Sequence, residues 1–403
     1  MRSYVLDVTR SLSRVGMGAA TGIDRVEAAY IRHLLAANQP HYFLARVAGG
    51  FVLLDRNGME KLNPVLQGRQ PPGKQDLTAL LYRKVAPMAA RAQSDSRRFS
   101  MAHAPRIGLA RMLAASVPPG FAYLNVGHSN RQAKLWNAVR NGGAGQCLAM
   151  LHDTIPLDWP QFGREGQAET FADNLRATFA GASTIICNSD DTKSHAQRWL
   201  DEWDMQARLI TVPIGCDQLS TPFAEFISTP RPEFVVLGTI EPRKNHALLL
   251  DVWSQLAGDS TQPELHIIGQ RGWRNEAVFA RLDRDPMMGN CVFEHGALDD
   301  RAVASRLQRA RALLFPSFAE GFGYPLVEAL QLGVPVICSD LPVFRALAGS
   351  AATYLPPDNA ADWLDAIRNC SQIAPTRPAK IDFPSWDSHF SFIDDYVHNY
   401  FKR

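Results

Sequence analysis

Close cysteine pairs are missing from this sequence. The six cysteines, Cys147, Cys187, Cys216, Cys291, Cys338 and Cys370, stand singly, which argues against zinc sites and small disulfide scaffolds, both built on short Cys spacings. Most lie in or beside apolar runs such as "TIICNS" and "VPVICSD", where a thiol acts as a small buried hydrophobe. Long apolar runs are missing too: none approaches the ~20 residues that a membrane helix needs. The opening "MRSYVLDVTRSLSR" holds no apolar core of signal-peptide length, so the cytoplasm is the expected compartment. An excess of one charge sign is also absent, with a net of +2, and no short-period repeat is visible.

What is present suffices for two cores. At 403 residues the chain exceeds the usual size of one core, and two domains of roughly 200 residues are the natural division. A hydrophobic share of 46% with 20% charged residues argues against wholesale disorder. Strand-like runs occur at "YVLDV" (4–8), "FAYLNV" (121–126), "CLAMLHD" (147–153), "STIICNS" (183–189) and "RLITVPI" (208–214), with helical stretches such as "AETFADNLRATFAG" between them. After "YVLDV", the stretch "DRVEAAYIRHLLAA" places Val26, Tyr30 and Leu34 on one helical face. Asp24 followed by Glu27 reads as a capping box and predicts a helix start at Asp24. The rhythm restarts beyond a Ser-, Thr- and Pro-rich stretch at 217–233, read as an interdomain linker. The later runs are "FVVLG" (234–238), "ELHIIG" (264–269), "CVFEHG" (291–296), "RALLFPS" (311–317), "VPVIC" (334–338) and "AATYL" (351–355). Strands alternating with helices imply an α/β chain: two doubly wound, Rossmann-like domains facing a cleft, at 1–216 and 234–384.

Ligands of open parallel sheets collect at the carboxyl ends of the strands, so the loops there carry the chemistry. In "LGTIEPRKNH" (237–246), Asn245 is a candidate cap for the next helix, and Arg243 and Lys244 stand just ahead of that helix N-terminus. Two cations beside a positive dipole end suit an anion, phosphate above all. In "FAEGFGYPLVEAL", Gly321 and Gly323 allow close backbone approach and Pro325 suits a first helical turn. Glu328 is expected in that first turn, where a carboxylate offsets the dipole; Glu320, ahead of the turn, has no such structural reason. An ionised pair of carboxylates only accepts hydrogen bonds, which suits a ligand rich in O–H donors, as sugars and ribose are. A glycosidase also pairs two carboxylates, but it needs no phosphate cradle beside them.

A divalent metal wants a dedicated carboxylate cluster. The doublets Asp190–Asp191, Asp299–Asp300 and Asp394–Asp395 read instead as helix starts or solvated faces, so no metal is expected. The loop "SRVGMGAATGIDRVE" (13–27) has glycines at 16, 18 and 22 ahead of a helix, which resembles a phosphate-binding turn but misses the dinucleotide spacing. In "MLHDTIPLDWP" (150–160), His152 and Asp153 end a strand, where the histidine can exchange a hydrogen bond with a reacting group. Residues 80–115 hold Arg83, Lys84, Arg91, Arg97, Arg98, Arg106 and Arg111 against Asp95 alone, interleaved with apolar residues. This is either a solvated helix pair or a cationic face for anionic lipid; no nucleic-acid module accompanies it.

From about Phe234 to Arg345 these residues resemble the retaining nucleotide-sugar glycosyltransferases of glycosyltransferase family 4, which have the GT-B fold. The resemblance rests on "LGTIEPRKNH", "LHIIGQRGW" and "LLFPSFAEGFGYPLVEALQLGVPVI", whose Glu320 and Glu328 match the family's paired-glutamate motif. It implies donor-sugar binding by Glu320, ribose binding by Glu328 and diphosphate binding by Arg243 and Lys244. Gly238, Gly321, Phe322, Gly323 and Tyr324 are then donor-site residues, and His152, Asp153 and Glu320 the catalytic set. "TGIDRVEAAYIRHLL" resembles the family's glycine loop and first helix, with Gly22 the carry-over and Asp24 where many members have a second glycine. "HDTIPLDWP" is similar to mannosyltransferases that build bacterial surface polysaccharides, which implies a GDP-linked mannose or deoxymannose donor. The stretch 385–403 resembles the terminal helix that crosses back to the N-terminal domain. The resemblance thus implies retaining, metal-independent sugar transfer, without a cofactor, to a glycan or lipid-linked saccharide at the inner face of the plasma membrane. The rival readings are a sugar-nucleotide epimerase on the same fold and an inactive partner subunit of a polysaccharide-assembly complex.

Overall fold

The computed structural model describes residues 3–18, 20–81, 85–217, 231–256, 258–373, 378 and 381–399. Residues 218–230 of the expected linker, and Arg83 and Lys84 of the basic stretch, lie outside the described residues. Two compact units emerge: Met1–Thr154, Glu169–Ile214 and Trp386–Arg403 form the first, and Ile155–Ala168 with Gly215–Ser385 the second.

The first unit is built on strands β1 (Tyr4–Asp7), β2 (His41–Val47), β3 (Gly50–Leu54), β4 (Ala102–Pro105), β5 (Phe121–Asn125), β6 (Ala144–Leu151), β7 (Thr184–Cys187) and β8 (Leu209–Thr211). They form one sheet in the order β4-β3-β2-β1-β5-β6-β7-β8. From β2 to β8 neighbours run parallel, while β3 and β4 extend the edge antiparallel. The central strands are buried along their length, as parallel strands covered on both faces must be. Strands β2 to β4 are absent from the sequence reading above. The first two have a legible signal: "YFLARV" and "FVLL" flank a tight turn in which Gly49 takes φ +88°, a conformation open to glycine.

The helix after β1 starts at Gly22, not Asp24. Its capping box is Thr21 with Asp24: the Asp24 carboxylate accepts the Thr21 N–H at 2.8 Å, and Thr21 Oγ1 faces the Asp24 N–H. Glu27 sits one turn further on and is free of capping duty; it is buried instead. The helix Trp386–Asn399 packs on this unit through Phe390, Ile393 and Val397. Tyr4 and Tyr30 fix it by hydroxyl contacts of 2.8 Å to Asp394 and His389.

The second unit has six parallel strands: β9 (Glu233–Leu237), β10 (Glu264–Ile268), β11 (Val292–Glu294), β12 (Ala312–Phe315), β13 (Val336–Ser339) and β14 (Ala352–Leu355). Each coincides with a run read from the sequence. Their order, β11-β10-β9-β12-β13-β14, is that of a doubly wound dinucleotide-type sheet. Phe234, Trp253, Leu265, Ile267, Leu314 and Trp363 lead its core, and the Trp253 and Trp363 indoles donate to the carbonyls of Pro263 and Pro356. Large rings are thereby buried without orphaned N–H groups.

Candidate functional site

The strand order of the second unit reverses between β9 and β12, so the loops leaving these two strands meet at the point where such sheets take ligands. Pro242–Lys244 forms a short 3-10 turn after β9, and the loop 316–323 follows β12. Arg243 ties them together: its Nη1 donates to the Ala319 carbonyl at 2.6 Å, and its own carbonyl accepts the Phe318 N–H at 2.9 Å.

Glu320 is the centre of this junction. Its Oε1 lies 2.5 Å from Lys244 Nζ and 2.7 Å from Arg243 Nη1, while Arg243 Nη2 also holds Glu241 at 2.6 Å. Burial would raise the Glu320 carboxyl, but Arg243 and Lys244 outweigh it and hold the group below the ordinary carboxylate range. Two anions and two cations thus neutralise one another in a largely buried cluster. Lys244 also lies 4.6 Å from the Phe315 ring centroid, and Gly238 (φ +137°) makes room for it, since a Cβ there would stand 3.2 Å from Lys244 Cε.

Gly323 takes φ +114° and starts the helix Tyr324–Gln331 with Pro325 in its first turn. A Cβ on Gly323 would come within 2.8 Å of the Phe344 ring. Phe322 is buried, its ring 5.3 Å from that of Tyr324, whose hydroxyl donates to the Gly215 carbonyl at 3.3 Å. Two expectations need correction. Glu328 is the fifth residue of its helix and lies in the second turn, so dipole compensation does not explain it. Asn245 adopts φ +56° and donates its side-chain amide to Pro357 O at 2.7 Å, tying down a neighbouring loop where capping was expected.

The structure therefore brings Glu320, Arg243, Lys244 and Gly238 into contact and sets Gly321 to Tyr324 beside them. His152, Asp153 and Gly22 belong to the first unit. Gly22 opens the helix Gly22–Ala36, and Asp153 follows His152 off the end of β6. His152 Nε2 contacts the Val126 carbonyl at 2.7 Å, which obliges that nitrogen to carry the proton and leaves Nδ1 as an acceptor. Burial pushes its pKa down to about 3, so it is neutral. Its main chain is held on both sides: the N–H donates to His128 Nε2 at 3.0 Å, and the carbonyl accepts from Asn188 Nδ2 at 3.0 Å. His128, at φ +56°, holds the His152 main chain, a contact that sequence reasoning missed. Its signal is a left-handed backbone, which sequence does not display.

Two other groups bear on ligands. Among the described residues, Glu233, Glu264 and His266 have potential metal-ligand atoms within 4.8 Å of one another. Glu233 and Glu264 open β9 and β10, His266 lies two residues into β10, and Arg309 already holds Glu233 at 2.7 Å. In the basic stretch, Arg97 pairs with Asp76 at 2.6 Å, Arg98 with Asp95 at 2.5 Å, and Arg91 donates to the Gly73 carbonyl at 2.6 Å. Arg106 and Arg111 are exposed, with Ile107 between them 98% exposed.

Residues 217–377 match the sequence profile described as "Glycosyl transferases group 1". The serotype-specific mannosyltransferase WbdA of Escherichia coli is 30% identical over 277 residues, 64% of this chain and 34% of the relative. The chain therefore spans about a third of the length of that relative. The O-antigen chain mannosyltransferase B of Escherichia coli is 25% identical over 232 residues, covering 55% of this chain and 59% of that one. Among solved structures, sucrose-phosphate synthase from Thermosynechococcus elongatus aligns over 100% of both chains with a TM-score of 0.64. The lipopolysaccharide outer core galactosyltransferase WaaB aligns over 99% of this chain and 100% of its own with 0.59. At 15% identity each, these two speak for the fold alone.

Proposed function

We propose that this chain, whose residues 217–377 match glycosyl transferases group 1 and whose fold is that of GT-B enzymes, transfers mannose, or a deoxymannose, from a GDP-sugar to a hydroxyl of a growing surface polysaccharide. The observation that carries the proposal is the Glu320–Lys244–Arg243 cluster at the switch point of the second sheet. In this reading Glu320 accepts hydroxyls of the donor sugar, Glu328 those of the ribose, and the two cations take the diphosphate. Because the cluster is neutral before the donor arrives, the charge that builds on the departing diphosphate meets preorganised donors. Glu320 keeps both cations in position until then. His152, neutral with Nδ1 as acceptor, suits a sugar hydroxyl, not a phosphate. Same-face displacement gives retention, with the leaving phosphate drawing the proton from the acceptor hydroxyl, and no metal is required. The names of the relatives, a serotype-specific mannosyltransferase and an O-antigen chain mannosyltransferase, support mannose as the sugar.

A lipid-linked acceptor would bring the enzyme to an anionic surface, for which Arg106, Ile107 and Arg111 are the exposed candidates. The test of the central reading is a thermal-shift series with GDP-mannose, UDP-glucose and dTDP-rhamnose, since a ligand raises the melting temperature by mass action. GDP-mannose should give the largest rise, unchanged by EDTA. The anomeric configuration of any product, read by NMR, should match that of the donor. Conversion of donor alone to an epimer would replace this reading with the epimerase one.

A further inference from the structure

Residues 155–168, which follow His152 and Asp153, pack with the second unit. Main-chain carbonyls do much of the docking. The Trp273 indole N–H donates to Phe162 O at 3.0 Å, Arg274 Nη1 donates to Gly163 O at 2.7 Å, and the Arg164 guanidinium lies 4.8 Å from the Trp273 ring centroid. The aromatic side chains of this segment, Trp159 and Phe162, are not part of the buried core.

They form a ladder instead. Trp159 and Phe162 stack with centroids 5.7 Å apart and planes 16° from parallel; Phe162 and Phe318 stack at 5.2 Å and 21°. All three rings are only half-buried, whereas Phe315 and Phe322, close by in sequence, are buried. Phe318 stands two residues before Glu320, and its N–H is the one that Arg243 O accepts. The ladder thus begins beside the carboxylate–cation cluster and ends at Trp159, flanked by the exposed Pro160 and Gln161.

We propose that this ladder is the acceptor subsite, taking a pyranose oligosaccharide whose C–H face lies on an aromatic ring while its rim hydroxyls meet water and polar groups such as Gln161. The proposal rests on the glycosyltransferase reading above. A pyranose offers one apolar face and a rim of donors and acceptors, which is what flat, half-exposed rings next to polar side chains complement. An acyl chain has no flat face for which parallel rings would be selected. A donor base belongs with Glu328, the proposed ribose ligand on the following helix, whereas the ladder joins the site at Phe318, two residues before Glu320, the proposed ligand of the transferred sugar.

The probe is α-linked mannotriose, followed by saturation-transfer NMR, with the GDP-mannose thermal shift read separately on the same proteins. Wild type should bind mannotriose. Trp159→Ala and Phe162→Ala should weaken that binding about tenfold or more, as truncating an aromatic anchor does, and leave the GDP-mannose shift unchanged. Trp159→Phe, which keeps a ring, should retain binding within about threefold of wild type. No mannotriose binding by wild type, or equal binding by the Ala variants, overturns the subsite while an intact GDP-mannose shift leaves the transferase reading standing. Loss of the GDP-mannose shift in the Ala variants with Trp159→Phe unaffected assigns the ladder to the donor base and also overturns it. Absence of that shift in wild type counts against the donor reading itself.

Discussion

Arg243 links several parts of the site: it reaches Glu320, Glu241 and the Ala319 carbonyl, and its own carbonyl takes the Phe318 N–H. Removing it leaves buried carboxylates short of a counter-charge and takes away a donor for the departing diphosphate. Arg243→Ala should lower turnover by ~100-fold or more in a single-turnover assay with saturating donor, by analogy with losing one oxyanion donor. Unaltered turnover would remove Arg243 from the chemistry. A second residue-scale expectation concerns Glu27, buried with Oε1 accepting the Ser11 N–H at 2.7 Å and Oε2 orphaned. Burial pushes its pKa up to about 8. The folded protein then holds a proton that the unfolded chain releases above the ordinary carboxylate value. Its contribution is complete at or below that value and lost as pH rises toward 8. Glu27→Gln should therefore flatten the fall in stability between pH 5 and 8, by up to about 1.4 kcal/mol per pH unit. Chemical denaturation of both proteins across that range decides it; parallel curves would show that Glu27 does not titrate there.

At the scale of elements, the loops matter more than the strands they leave. Gly323 holds a backbone angle that other residues adopt only under strain, and a Cβ there would press on Phe344. Gly323→Ala should cost roughly 1–3 kcal/mol, seen as a lowered melting temperature, and should weaken donor binding because the Tyr324–Gln331 helix start must shift. A variant that melts and binds like wild type would mean that the turn relaxes without consequence. The same loops show how far sequence reasoning reached. All six strands of the second unit were legible because each is a short apolar run closed by a turn. Strand β4, "AHAP", was not, since an edge strand of that length has no apolar pattern to read. The helix start at Gly22 was displaced by two residues because two overlapping pairs, Thr21 with Asp24 and Asp24 with Glu27, both spell a capping box. Only backbone geometry distinguishes them.

For the whole molecule, the basic stretch becomes a narrower feature than its composition implies. Asp76, outside the stretch, neutralises Arg97, and Arg91 and Arg98 are spent on local partners. No helix among the described residues is long and apolar enough to cross a membrane. Among the described residues of the stretch, Arg106, Ile107 and Arg111 are then the exposed candidates for the proposed lipid contact. At about 1 kcal/mol per cation near an anionic surface, Arg106→Glu with Arg111→Glu should cut sedimentation with phosphatidylserine vesicles at least tenfold. Equal recovery of wild type with anionic and neutral vesicles would withdraw the lipid surface from the proposal.

The periodicity of apolar runs and the order of its glycines, acids and bases sufficed, by themselves, to determine a two-domain α/β chain with Glu320, Glu328, Arg243 and Lys244 near strand ends. That much is local information: burial of one strand face or one helix face is written every second or every third to fourth residue. Only the tertiary structure decided that Glu320 is held by both cations, that Glu328 lies a turn deeper in its helix, and that Phe318 stacks with Phe162, 156 positions earlier in the chain. Those pairings depend on which strands become neighbours at the switch point, a property of sheet order that no stretch of sequence carries alone.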